Sequence, residues 1–129
     1  MIELLEGFEV ITFGNSGANV SITKNGVTFN KIALEKMNSA NYVTLMVNRE
    51  KKQFAIKQCT QNDANAMPFA AAIKPKAPSV RWNSKELLRL FSGLMSWELE
   101  KGNGYKVMGE YLKSEKALLF DLNNAVPIT

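Results

Sequence analysis

Short runs of β-branched and aromatic residues, broken at close intervals by Gly, Asn and Lys, fill the first half of the chain. Residues 8–13 and 19–23 partly alternate apolar with polar positions around Gly14-Asn15-Ser16-Gly17, which predicts a hairpin. A second turn follows at Lys24-Asn25-Gly26, where the Asn-Gly pair tolerates positive φ, and it leads into Val27-Thr28-Phe29. Asn30 then stands where it can cap a two-turn helix over residues 31–37, its side chain accepting from the first-turn N–H groups. Two more runs, 42–47 and 53–57, bracket the charged tip Asn48-Arg49-Glu50-Lys51-Lys52 and predict another hairpin.

The pattern changes over residues 59–79. Thr60-Gln61-Asn62-Asp63-Ala64-Asn65 is polar, and Pro68, Pro75 and Pro78 interrupt any regular element, so the segment reads as a linker. Within it, Ala70-Ala71-Ala72-Ile73 predicts a short strand or turn, and Lys74-Pro75-Lys76-Ala77-Pro78 an extended stretch. Val80-Arg81-Trp82 reopens the ordered pattern, and Asn83 with Glu86 three residues on has the spacing of a capping box. Leu87, Leu88, Leu90, Phe91, Leu94 and Met95 recur at helical spacing, predicting a helix from Ser84 to near Phe91, or to Trp97 if Gly93 lies inside it. After the turn Lys101-Gly102-Asn103-Gly104, residues 105–112 and 117–122 predict a last hairpin around Lys113-Ser114-Glu115-Lys116.

The halves match. Val27-Thr28-Phe29-Asn30 before a helix is mirrored by Val80-Arg81-Trp82-Asn83 before a helix, an offset of 53 between Asn30 and Asn83. The tips match at an offset of 65 between Lys51 and Lys116, with the difference taken up between Ser92 and Gly104. The expected fold is therefore α+β: mainly antiparallel β with two short helices, in one domain over 1–129 whose halves, about 1–58 and 80–129, are joined by linker 59–79. Two strand-helix-hairpin halves can close a pseudo-two-fold barrel; a chance match of two short units is the alternative.

With 46% apolar and 22% charged residues over 129 positions, the chain can bury a real core. Cys59 is the sole cysteine and there is no histidine, which excludes an intramolecular disulfide and Cys/His metal sites, so no metal or cofactor is expected. The first residues are acidic and lack the apolar core of a secretory signal, and the longest apolar run is seven residues, 67–73. A cytoplasmic location without a membrane segment is expected. Charge is uneven: Glu3, Glu6 and Glu9 give −3 over 1–23; twelve Lys or Arg against Glu35, Glu50, Asp63 and Glu86 give +8 over 24–89; the remainder carries −1. Such a basic centre is the electrostatic footprint of a polyanion binder, although solvated surface lysines fit it too.

Residues 21–31 with a short helix, then 42–47 and 54–57, resemble the AbrB/MazE class of swapped-hairpin barrels, with 80–122 as a second copy. In that family a strand, a glycine turn, a second strand, a short helix and a hairpin form half a barrel. The resemblance implies DNA binding and transcription regulation. The chain departs from the family pattern at Asn30, where proline is usual, and at Val27 and Leu34, where arginines that often face DNA are usual.

No enzyme chemistry stands out. Asp63 and Asp121 are not paired by spacing, Cys59 has no histidine partner, and Gly14-Asn15-Ser16-Gly17 lacks the Lys-Ser/Thr ending of a phosphate loop. Arg49, Lys51, Lys52 and Lys57, on and beside a hairpin tip, are candidate phosphate contacts, and Lys74, Lys76, Arg81, Lys85 and Arg89 make a second basic cluster. Trp82 and Trp97 read as core or edge-packing aromatics, with base stacking as the other reading. The expected function is a small non-enzymatic DNA-binding or regulatory protein; the alternative is a protein-protein interaction module that binds no nucleic acid. Duplex DNA or an unidentified protein is the expected partner. The chain is expected to be a monomer if an internal duplication closes the barrel and a homodimer otherwise.

Overall fold

The computed structural model describes residues 17–70 and 78–129. The expected strand over 8–13, its turn up to Ser16, and residues 71–77 with Lys74 and Lys76 lie outside them.

Local chemistry sets the first elements. Strand β1 (Asn19–Thr23) turns through Lys24 and Asn25 into β2 (Gly26–Phe29), pairing Thr23 with Gly26. Gly26 holds φ 143, and a Cβ there would meet the Trp82 carbonyl oxygen at 2.7 Å, so both conformation and space require glycine. Asn30 caps α1 (Lys31–Lys36) through its side-chain oxygen, which accepts from Ala33 N and also from Asn19 N, each at 3.0 Å. Its amide donates to the Gly17 carbonyl and its backbone N–H to Asn19, so this residue joins the start of β1 to the helix. A proline here would have no N–H for Asn19 and no side-chain amide, which gives the departure at Asn30 a physical reason.

Strands β3 (Tyr42–Asn48) and β4 (Gln53–Gln58) form the expected hairpin, its tip closed by Asn48 Oδ1 accepting from Lys51 N and by Lys52 at φ 56. The segment read as a linker does more than connect. It carries β5 (Met67–Pro68), which pairs with β3 as an edge strand, the place where a strand tolerates proline, and it buries Phe69 completely. β6 (Val80–Trp82) pairs with β2.

Helix α2 (Lys85–Met95) is capped by Ser84, whose hydroxyl accepts from Leu87 N at 3.1 Å, and not by Asn83 as the spacing suggested. Gly93 lies inside the helix, which ends where Ser96 turns left-handed at φ 57. Strands β7 (Tyr105–Leu112) and β8 (Ala117–Asp121) follow as expected; β9 (Val126–Pro127), which the sequence pattern did not indicate, returns beside β7.

The strands join antiparallel in the order β5-β3-β4-β8-β7-β1-β2-β6, a mainly antiparallel sheet curled into a half-barrel, with α1 and α2 as the α-helices fully within the described residues. Alternation along each strand sends every second side chain inward. Phe29, Phe54, Phe69, Phe91 and Phe120 are all essentially inaccessible, and burying each contributes about 2 kcal/mol or more. Phe29 meets Phe69, Trp82 and Phe120 edge-on at 5.3, 5.0 and 5.9 Å, while Phe54 stacks on Phe120 at 4.8 Å. Helix α2 covers this cluster with Leu87 and Phe91. At the ends of the strand path, the Trp82 indole N–H donates to the Pro68 carbonyl, so β6 reaches back to β5.

Candidate functional site

The β2·β6 register brings charged residues beside an open cleft. Thr28 faces Arg81 across the pair, both pointing outward because their neighbours Val27, Phe29, Val80 and Trp82 point in. Arg81 Nε lies 3.4 Å from the Thr28 hydroxyl, and its Cγ packs over Gly26 beside the turn that carries Lys24. Two residues past β6, the chain enters α2, where Lys85 and Arg89 stand one helical turn apart. Lys24, Lys85 and Arg89 then line an open cleft of about 600 Å³ whose apolar surface comes from Leu88, Trp97 and Leu99.

The cleft is net positive: Lys24, Lys85, Arg89 and Lys101 line it together with Glu98 and Glu100. Glu98 pairs with Lys101 at 3.4 Å, whereas Lys24, Lys85 and Arg89 are exposed and have no ion-pair partner among the described residues. Glu98 and Glu100 offset part of this charge, but the excess of cations still raises the local positive potential and attracts anions. Trp97 stacks on Tyr105 with ring centroids 4.0 Å apart and planes within 9°, so one face of the indole is backed by a second ring.

The candidate residues fall into three groups. Arg81 packs over Gly26 beside the β1–β2 turn, and Lys85 and Arg89 line the cleft with Lys24. Arg49, Lys51 and Lys52 sit on the β3–β4 tip, which docks against the end of β8: the Asn123 side chain donates to the Lys51 carbonyl and Leu122 N to that of Lys52. Lys57 is at the far end of β4 from that tip, 3.6 Å from Glu115. Along the sheet, β8, β7, β1 and β2 separate β4 from β6.

Lys24 was missed as a candidate because its neighbourhood depends on the long-range β2·β6 register. Its only local signal was a cation in an exposed turn. Trp97, read as packing, does pack on Tyr105, yet it also lines the cleft. Trp82 is core, at 6% exposure. Val27 and Leu34, where the resembled family carries arginines, are buried at 0% and 5%. In this chain those positions serve the core.

Among the described residues, no group of three or more His, Cys, Asp or Glu could hold a metal ion, and no helix is long and apolar enough to cross a membrane. Asp121 is held below its ordinary pKa of 3.8 chiefly by the backbone N–H of Asn123, against a smaller burial effect, with further bonds from the side chains of Asn123 and Gln53. Its partners account for it structurally. The chain matches no family model, and no curated protein or solved structure matches it.

Proposed function

We propose that the protein is a small non-enzymatic DNA-binding regulatory protein built as a single-chain barrel of two ββαββ halves, as the AbrB/MazE resemblance implies. The order of elements supports two halves: β1-β2-α1-β3-β4 is followed by β5-β6-α2-β7-β8. Exchanging β1 with β5, β3 with β7 and β4 with β8 leaves the path β5-β3-β4-β8-β7-β1 unchanged in its pairings. β2 and β6 pair with each other, with Thr28 opposite Arg81, the two residues at the middle of the matched segments. A monomer follows from this reading, because one chain then supplies both halves; light scattering tests it.

The observation that carries the DNA reading is that Lys24, Lys85 and Arg89 line one net-positive cleft, with Arg81 packed over Gly26 beside the same turn and none of the four in an ion pair among the described residues. Such a group binds phosphates by releasing condensed counterions, with Arg49, Lys51 and Lys52 as a second contact. Because Val27 and Leu34 are buried, the family's base-facing positions are unavailable for readout, and weak sequence discrimination is expected. Titration of duplex DNA tests the proposal: binding at ~50 mM salt should fall steeply by ~200 mM. Absence of binding at low salt would remove it.

The second reading is a protein-interaction module. Met108 and Val126 are 46% and 60% exposed beside a groove of about 400 Å³ that also includes Pro127 and Ile128. Exposed apolar side chains gathered at a groove favour protein contact. This reading stands if duplex DNA does not bind.

A further inference from the structure

We infer that the cleft between the β1–β2 turn and α2 takes an unpaired nucleotide unit, its phosphate held by Lys24, Lys85 and Arg89 and its base laid against Trp97. The inference rests on the nucleic-acid reading of the same basic group and specifies the strand state it accepts.

Three observations carry it. The first is size: about 600 Å³ is the volume of a pocket for a small molecule, and a double helix can only lie across its mouth. The second is the pairing of chemistries. Lys24, Lys85, Arg89 and Lys101 outnumber Glu98 and Glu100 and leave the cleft net positive, while Leu88, Trp97 and Leu99 offer an apolar surface in the same cleft. A ligand that satisfies both has an anionic group joined to a flat apolar one, as a nucleotide does. The third is Trp97. Its ring is stacked on Tyr105 at 4.0 Å, so it is held in place before any ligand arrives, and stacking a base on it costs little side-chain entropy. An unpaired base has free faces for such a contact; a base inside a duplex does not.

Glu98 and Glu100 line the same cleft; Glu98 is engaged by Lys101 and opposes the phosphate less than a free carboxylate would, while Glu100 is outweighed by Lys24, Lys85 and Arg89. Lys85 and Arg89, adjacent on one helix face, repel each other in the unliganded protein, and a bound phosphate relieves that repulsion.

The nucleotide can arrive free or as part of a single strand, and the experiment separates the two. Titrate the full chain with an oligothymidylate of about twelve nucleotides, with thymidine monophosphate and with a duplex, following tryptophan fluorescence and the anisotropy of labelled oligonucleotide. Quenching by the oligothymidylate or by the monophosphate is expected, since Trp82 is buried and Trp97 is the accessible reporter. Trp97→Leu should weaken oligothymidylate binding by about tenfold or more, Trp97→Phe should retain much of it, and duplex binding should be unchanged in both. Because Trp97 packs on Tyr105, a circular dichroism melt accompanies these variants. The exposed pair Lys85→Ala with Arg89→Ala, which leaves the core intact, should lower the salt slope for single strands by up to about 1.4. The inference is overturned if neither the oligothymidylate nor the monophosphate binds, or if folded Trp97→Leu and the double alanine variant bind single strands like the parent. Duplex binding without single-strand binding removes this inference alone; loss of both removes the nucleic-acid reading as well.

Discussion

The indole N–H of Trp82 donates to the carbonyl oxygen of Pro68 at 3.0 Å, linking the last strand of the sheet path to the first. The indole also packs edge-on against Phe29 at 5.0 Å and Phe69 at 6.1 Å, so one side chain joins core packing to sheet curvature. Trp82→Phe keeps the ring contacts and leaves the Pro68 carbonyl without its donor. The expected loss is about 1–2 kcal/mol, read as a lower urea midpoint at unchanged slope. An unchanged midpoint would show that the bond contributes nothing.

Lys52 and Lys116 adopt left-handed backbone, φ 56 and 51, each on the residue just before the return strand of its hairpin. A side chain in that region costs about 1–2 kcal/mol, part of which glycine gives back as chain entropy. Lys52→Gly and Lys116→Gly are each expected to stabilise the fold by about 0.5–1 kcal/mol in urea denaturation. Destabilisation by either would mean that the lysine side chain makes a compensating contact.

The depressed pKa of Asp121 ties stability to acid. Its folded value lies below 3.8, so the folded state binds fewer protons there than the unfolded state. The resulting stabilisation is fully present above 3.8 and is lost as pH falls through the folded value. Asp121→Asn should therefore flatten the decline of the urea midpoint between about pH 5 and about pH 2. An acid limb as steep as the parent's would assign the effect to other carboxylates.

Two triple variants compare the basic groups. Alanine at Arg81, Lys85 and Arg89 should weaken duplex binding at low salt and reduce the salt slope by up to about three, one for each lost phosphate contact. Alanine at Arg49, Lys51 and Lys52 should cost less, because that tip lies away from Lys24 and the cleft. A salt slope unchanged in the first triple would be incompatible with the proposed interface.

Several features were legible because the interactions that make them span few residues. The Asn-Gly turn, the Asn30 cap, both later hairpins and the helical spacing of Leu87 and Phe91 each depend on neighbours close in sequence. Even so, local rules left one-residue choices open. Asn83 and Ser84 both have capping side chains, and the hydroxyl that reached Leu87 N was that of Ser84.

What the sequence determined by itself was the β-rich class and most element positions, since alternation, turns and caps follow from backbone chemistry within a few residues. Tertiary structure decided which strands became neighbours: that β4 lies against β8 and β2 against β6, that Phe69 leaves a proline-rich connector for the core, and that Lys24 comes beside Lys85 and Arg89. Any exposed β edge can pair with many others, so local preference does not discriminate among them. Burial of Phe29, Phe54, Phe69 and Phe120 in one cluster selects the register, and the cleft takes its shape from that selection.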